Sequence, residues 1–590
     1  MPAGQSRPMT AHDDELRVRP GRVRDSGRGG GKPQSFVGQV MRATRKAGHT
    51  GPGLGRDARR GASAFGRGRA AAAALALRSP HRRVVIKARV VRQRGSRFRS
   101  APLAKHLSYL QREGVTQDGA NARMFDARAD GTDVDAFAQR CDGDRHHLRF
   151  IVSPEDAPEM ADLRAFTRDL MARAERDLGT KLDWVAVDHW NTDQPHVHVL
   201  VRGKADDGSD LVISRDYISR GLRGRAEDLV GLELGPRSEH AIRSSLEREV
   251  TAERWTSLDR AIRAVGDENA GVVDLRPGGE SVPELRRNMV GRAQTLERLG
   301  LAEPVGPAQW TLKPDAEQTL RALGERGDII KTMHRALSRG DRVPDPGAFA
   351  IHGDDQPSVL GRLADRGLHN ELKGSAYVVI DGVDGRAHHI RFASLEATGN
   401  AQLGAIVEAR PFTGDDGRQR LSLAVRSDLP LEAQVTSAGA TWLDRSLVSR
   451  EPPALASSGF GAEVGQALAK RADHLASEGL ARQAGQRAVF ARDLLDTLSR
   501  REVSAAASRI QAETGLPHQP SAAGEHVAGV YRQRVQLASG RFAMIDNGLG
   551  FELVPWKPAL EQQLGRQVSG VVLPGGGVDW SFGRKRGLSV

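Results

Sequence analysis

Cysteine is nearly absent from this chain: Cys141 is the only one in 590 residues. A single thiol excludes an intramolecular disulfide framework and a cysteine-built zinc site. Aromatic residues are scarce as well, at 4%, and only Tyr109, Tyr217, Tyr377 and Tyr531 carry a phenol. Chemistry that needs a tyrosine therefore has few candidates. Long apolar runs are missing too. The best one, AAAALALR, falls far short of the ~18 residues that a membrane span requires. The first residues lack the apolar segment of a secretory signal. These absences predict a cytoplasmic protein with no membrane insertion.

Acidic charge is missing from one end. Residues 1–100 hold 24 Lys+Arg against 5 Asp+Glu, whereas the remainder holds 63 against 69. The net charge of +13 thus belongs to the head of the chain. That head, with RVRPGRVRDSGRGGGKP and GRDARRGASAFGRGRA, is rich in Arg and Gly and predicts a disordered basic arm over residues 1–79. Such an arm gains affinity for polyanions by releasing their counterions, or it simply keeps the chain soluble.

Beyond the arm, strand and helix patterns alternate. HRRVVIKARVV, RHHLRFIVSPED, LDWVAVDH and HVHVLVRG read as strands, and WNTDQP reads as a hairpin connection. APLAKHLSYLQREG reads as a helix, with Ser100 as N-cap and Gly114 as its stop. MADLRAFTRDLMARAERDLG is amphipathic, with Leu163, Phe166, Leu170, Met171, Ala174 and Leu178 in one stripe. The fold class expected is α+β, a central antiparallel sheet with flanking helices over residues 80–265.

The C-terminal half repeats itself. RAQTLERLGLA from Arg292 matches RADHLASEGLA from Arg471, at an offset of 179. LKGSAYVVID at 372–381 matches LASGRFAMID at 537–546, at an offset of 165. Each first element is a helix closed by Gly, a short β segment and another helix, an order that suits a winged helix. The pattern predicts a winged-helix-like domain at 266–345, a small β domain at 346–430, and a second pair at 431–515 and 516–590. Both offsets hold if the second copy is some 14 residues shorter.

The densest cluster of polar chemistry is DHWNTDQPHVHVLVRG, residues 188–203. His196 and His198 are two apart on a strand and so leave one face, while Val197, Val199 and Val201 take the other. A hairpin would bring His189 beside them. Three neutral imidazoles on adjacent strands form a tripod that leaves open positions on a divalent cation. The cation would keep its full charge, which suits activation of an anion such as a phosphate diester. A polar hairpin is the plain alternative. A zinc hydrolase also fits three histidines, but no HExxH accompanies them.

A polarised phosphodiester needs a nucleophile. Tyr109 lies in KHLSYLQREG, with Lys105 at i−4, His106 at i−3 and Arg112 at i+3. Positive charge holds a phosphate and favours the phenolate. The same pattern also suits an ordinary half-buried tyrosine on a basic helix face.

The order Tyr109, then Ser153-Pro154, then His189…His196-Val-His198 resembles motifs I to III of conjugative relaxases. Among these it is most similar to the P-type mobilisation relaxases of the HUH endonuclease superfamily, which include the T-DNA border endonuclease. The motifs cover roughly residues 80–240, and KHLSYLQREGV, RHHLRFIVSPED and LDWVAVDHWNTDQPHVHVLVRG look like a branch with a long uncharacterised C-terminal region. The resemblance implies a DNA strand transferase that nicks one strand at an origin of transfer and stays linked to the 5′ phosphate. It implies Tyr109 as nucleophile, and His189, His196 and His198 as ligands of magnesium or manganese. Ser153 would contact DNA, with Lys105 and Arg112 as further DNA contacts. It implies origin DNA, single-stranded and duplex, and other transfer or coupling proteins as partners. The family's acidic residue two after the first histidine is replaced here by Asn191, which leaves that role open; Asp188 and Asp193 are the nearest acids, and Asp193 is the candidate for supporting His189. Two rivals remain: a rolling-circle replication initiator, for which Tyr217 is placed downstream of the histidines, and a non-catalytic DNA-binding accessory protein.

Overall fold

The computed structural model describes residues 69–92 and most of 103–581. The residues it leaves out within the second span are 104–105, 109, 112–115, 118–119, 121, 191–193, 278–282, 339–344, 354–357, 371, 415–416, 485–486 and 575–576. Tyr109, Lys105, Arg112, Asn191 and Asp193 lie outside the described residues, as do Ser100, Gly114 and the arm up to residue 68. A helix, α1 (Arg69–Leu77), occupies the end of the stretch that composition assigns to the arm. Its alanine run has the strongest intrinsic helix preference of any residue type, and this outweighs the Arg/Gly character of its surroundings.

The chain is a mixed α+β protein with several antiparallel sheets. Two compact units divide it. One comprises α1 with residues 249–251 and 256–316; the other comprises 78–248, 252–255 and everything from 317 on. Among the described residues, no helix is long and apolar enough to cross a membrane.

The second unit starts with a four-stranded antiparallel sheet: β1 (Val84–Arg92), β2 (His146–Pro154), β3 (Trp184–His189) and β4 (His196–Arg202), in the order β1-β2-β4-β3. A short helix, α2 (Val134–Arg140), precedes β2. Between β2 and β3 runs α3 (Leu163–Leu178). Asp162 caps it by accepting hydrogen bonds from the Arg164 and Ala165 amides, and Gly179 ends it at φ 66°. Its stripe of Leu163, Phe166, Leu170, Met171 and Ala174 is buried on one face of the sheet against Leu148, Phe150, Val152, Val197, Val199 and Val201. Each fully buried leucine or phenylalanine contributes about 1.5–3 kcal/mol here. The other face packs Val185, Val187 and Leu200 against Leu103, Leu107 and Leu110, and the chain is helical at 106–108 and 110–111. Gly203 at the end of β4 allows a close approach, because a Cβ there would sit 1.9 Å from the His146 carbonyl oxygen.

After the sheet come α4 (Arg223–Leu234) and α5 (Glu239–Val250). Then a helical segment and a β segment each occur twice. The first helical segment runs α6 (Ser257–Glu268), β5 (Val272–Asp274), α7 (Pro283–Arg298), β6 (Ala302–Gly306), β7 (Gln309–Leu312) and α8 (Ala316–Leu337), with sheet order β5-β7-β6. The first β segment adds β8 (Phe349–Ile351), β9 (Val359–Asn370), β10 (Ser375–Gly382), β11 (Ala387–Phe392), β12 (Ile406–Thr413) and β13 (Gln419–Ser427). The second helical segment comprises α9 (Leu431–Val435), α10 (Trp442–Leu447), α11 (Gly459–Ser477), the hairpin β14 (Ala481–Ala484) with β15 (Arg487–Phe490), and α12 (Leu494–Thr514). The second β segment comprises β16 (His526–Leu537), β17 (Gly540–Asp546), β18 (Phe551–Pro555), β19 (Gln567–Val572) and β20 (Val578–Ser581). The β segments share the order β13-β12-β9-β10-β11 and β20-β19-β16-β17-β18. Both also use glycine where the long strand crosses: a Cβ on Gly361 would meet the Asp381 carbonyl oxygen at 2.2 Å, and one on Gly529 the Asp546 oxygen at 2.3 Å.

The helical segments share a motif that the sequence comparison overlooked. Thr256-Ser-Leu-Asp259-Arg and Thr441-Trp-Leu-Asp444-Arg each close a capping box at the start of a helix. Each boxed aspartate also binds a fully buried arginine. Arg292 donates from Nε and a terminal nitrogen to Asp259 at 2.7 and 2.9 Å; Arg471 does the same to Asp444 at 2.8 and 2.9 Å. Backbone carbonyls take further protons, Val250 from Arg292 and Val435, Ser437 and Gly439 from Arg471. The matching arginines of the repeat are thus internal fasteners.

Candidate metal centre

The register of the β3–β4 hairpin sets up the histidine site. His189 pairs with His196, Val187 with His198 and Val185 with Leu200. Strand alternation puts all six side chains on the face opposite α3. The ligand-capable nitrogens of His189, His196 and His198 lie within 4.8 Å of one another, and all three residues are buried.

The surroundings fix which nitrogens point inward. His196 Nδ1 lies 3.0 Å from the Gln194 carbonyl oxygen, and His189 Nε2 lies 3.0 Å from that of Leu110. A carbonyl only accepts, so those nitrogens carry the protons and leave a lone pair on the other side of each ring. His196 Nε2 and His198 Nε2 then face each other at 3.2 Å. Two metal–nitrogen bonds of about 2.1 Å meeting between a right angle and the tetrahedral angle span about 3.0–3.4 Å. The donor set, its spacing and its outer hydrogen bonds fit a divalent cation.

The other predicted residues fall into place around this site or away from it. Ser153, on β2, donates to the Pro195 carbonyl oxygen at 3.5 Å and so stands at the entry of β4 beside His196. Tyr109 lies outside the described residues, but its neighbour Leu110 supplies the carbonyl that meets His189. Asp188 takes the opposite face. Arg164 Nε and Trp190 Nε1 both donate to it at 2.9 Å, which commits it to α3. Tyr217 also sits behind the sheet, packed with the α3 core, and its hydroxyl donates to Asp177 at 3.0 Å. Burial first, and then that carboxylate, push its pKa up, which disfavours the phenolate. The sheet separates Tyr217 from the histidines.

Three basic residues on the tripod face escaped the sequence reading. β1 pairs with β2 so that Lys87 faces Ile151 and Arg89 faces Arg149; β2 pairs with β4 so that Ile151 faces His198 and Arg149 faces Leu200. The signal was available in RHHLRFIVSPED, where Arg149 alternates in phase with Ile151 and Ser153.

No curated protein matches the chain. The family described as Protein of unknown function (DUF3363) matches residues 289–419 and 412–589, all downstream of the histidine site and together half of the chain, and the protein belongs to that family.

Proposed function

We propose that the protein is a DNA relaxase of the HUH type, which nicks one strand at an origin of transfer through a covalent tyrosine intermediate. The observation that carries this reading is the tripod on a face where Leu110, the residue after Tyr109, touches His189. A divalent ion held by His189, His196 and His198, magnesium or manganese, would supply a Lewis acid beside the scissile phosphate. The Tyr109 oxygen attacks that phosphorus, the bond to the 3′ oxygen breaks, and the released strand takes a proton as a free 3′ hydroxyl. One phosphodiester replaces another, so the reverse attack by a 3′ hydroxyl rejoins the strand. Ser153, at the mouth of the site, holds DNA near the reacting phosphate. Lys105 and Arg112 add cationic contacts beside Tyr109.

The two helical segments, each carrying a β-hairpin between helices, would act as winged-helix-like contacts for duplex origin DNA or for other transfer proteins. Deleting residues 270–590 is then expected to weaken binding to duplex origin DNA and leave oligonucleotide cleavage intact. A rolling-circle initiator using Tyr217 has less support, because that hydroxyl lies behind the sheet and is bound to Asp177.

The test incubates the purified chain with single-stranded fragments of its neighbouring DNA, with and without manganese. A denaturation-resistant adduct is expected only with metal. It should vanish in Tyr109→Phe and persist in Tyr217→Phe. Full adduct formation by Tyr109→Phe would refute the assignment. Binding without cleavage or adduct would favour the accessory reading.

A further inference from the structure

We propose that Arg149, with Arg89 and Lys87 beside it, forms a phosphate-binding track that holds single-stranded DNA on the tripod face. The inference rests on the relaxase reading and extends it to residues that no motif covers.

Arg149 is partly buried, yet no carboxylate comes within ion-pair distance of it among the described residues; its recorded hydrogen bond runs from Nε to His147 Nε2, 3.1 Å away. Burial lowers its pKa to about 10, with a second push from Arg89; Glu396 pulls the other way, from beyond contact. A guanidinium held half out of water beside another cation is costly unless an anion completes it. His147 is buried and neutral, since burial first and Arg149 next lower its pKa to about 3. By holding Nε, it leaves the two terminal nitrogens for a ligand, and that fork matches two phosphate oxygens.

Arg149 shares the tripod face, two residues along β2 from Ile151, which pairs with His198. Strand geometry puts it roughly 8 Å from His198 across the sheet. Arg89 lies opposite it on β1 and Lys87 opposite Ile151, both exposed. The three cations thus form a corner beside the tripod, Arg89 and Lys87 along the edge strand and Arg149 across from Arg89 on its neighbour. The wall beyond them comes from the family's own β segment: a Cβ on Gly374, in the β9–β10 turn, would lie 3.6 Å from an Arg149 terminal nitrogen.

The test measures anisotropy of a labelled, mixed-sequence single-stranded oligonucleotide on the full chain in EDTA, so that binding is read without cleavage. Arg149→Gln is expected to weaken binding about ten- to a hundredfold, and the salt slope should fall by about 0.7. Arg149→Lys keeps the charge but loses the fork, and should fall between the two. Glu396→Gln should tighten binding severalfold, and weakening there would contradict the proposal. Unchanged affinity in Arg149→Gln with an unchanged melting temperature would overturn it. So would a wild-type chain from which inorganic phosphate at matched ionic strength displaces the oligonucleotide as well as unlabelled DNA does. Adduct formation separates this inference from the reading beneath it. A wild-type chain that binds DNA through Arg149 but never forms an adduct loses the nuclease role and keeps the track.

Discussion

Arg471 and the histidine tripod are both buried polar groups, but the protein treats them in opposite ways. Arg471 and Asp444 have no exposed side-chain surface, and the guanidinium meets a carboxylate and three backbone carbonyls. Arg292 and Asp259 repeat the pair in the first copy. These sites are closed: each donor has its acceptor inside the protein. At the tripod, carbonyls turn two rings so that lone pairs converge on a common centre, and beside it Arg149 has cations and a histidine for neighbours but no contacting acid among the described residues. The closed pairs fasten a fold. The converging donors fit a cation, and Arg149, which has no acidic partner among the described residues, is proposed above to take a phosphate.

This contrast can be broken experimentally, starting from its strongest consequence. His198→Ala should abolish adduct formation, lowering the rate by more than about a hundredfold, since even indirect support of a metal ligand is worth 10–100-fold. Its melting temperature should change little. Gel quantification of the adduct beside a thermal scan checks both halves.

Arg471→Met should do the reverse. It leaves Asp444 buried without its partner, a loss of about 3–5 kcal/mol, readable in urea unfolding. Adding Asp444→Leu should recover much of that loss, because replacing both partners removes the orphaned charge. A double variant no more stable than the single one would show that the pair is not a closed unit.

A smaller effect concerns acid. His389 is buried, and burial, followed by His369 and Arg391, lowers its pKa from 6.5 to about 3. The unfolded state therefore binds the extra proton between those values, so stability present above pH 6.5 is lost as the pH falls. One such group contributes up to about 1.4 kcal/mol per pH unit. Unfolding free energies at pH 7 and pH 5 should converge in His389→Phe relative to wild type.

The smallest expected effect is none at all. Burial raises the Cys141 thiol to about 12, and the residue is inaccessible. Thiol reagents at neutral pH should leave the folded chain unlabelled, and labelling faster than unfolding would contradict this.

How much of this was legible in the sequence depended on the range of each interaction. The tripod was readable because strand alternation and one hairpin determine it, and both are local. The α3 stripe was readable for the same reason: its period of 3.6 needs only its own residues. The β repeats were visible at one offset because matched strands keep their length between turns. The Thr-x-Leu-Asp-Arg repeat was missed because its offset of 185 differs from the 179 of the arginine it binds, and the two meet only through space. Asp188 was read only as an acid near His189; its commitment to the α3 face through Arg164 and Trp190 required the fold. Arg149 was in phase with Ser153, but its meaning lies in the lack of an acidic partner among the described residues, which a sequence does not display.

The central claim is that the tripod serves a tyrosine nucleophile next to Leu110. The most direct measurement digests the denatured covalent adduct with trypsin and sequences the peptide that carries the nucleotide by mass spectrometry. The account predicts a single modified peptide, with the nucleotide on Tyr109 and formed only in the presence of a divalent metal. A nucleotide on Tyr217 or on any other residue would contradict it, as would an adduct that forms equally well in His198→Ala.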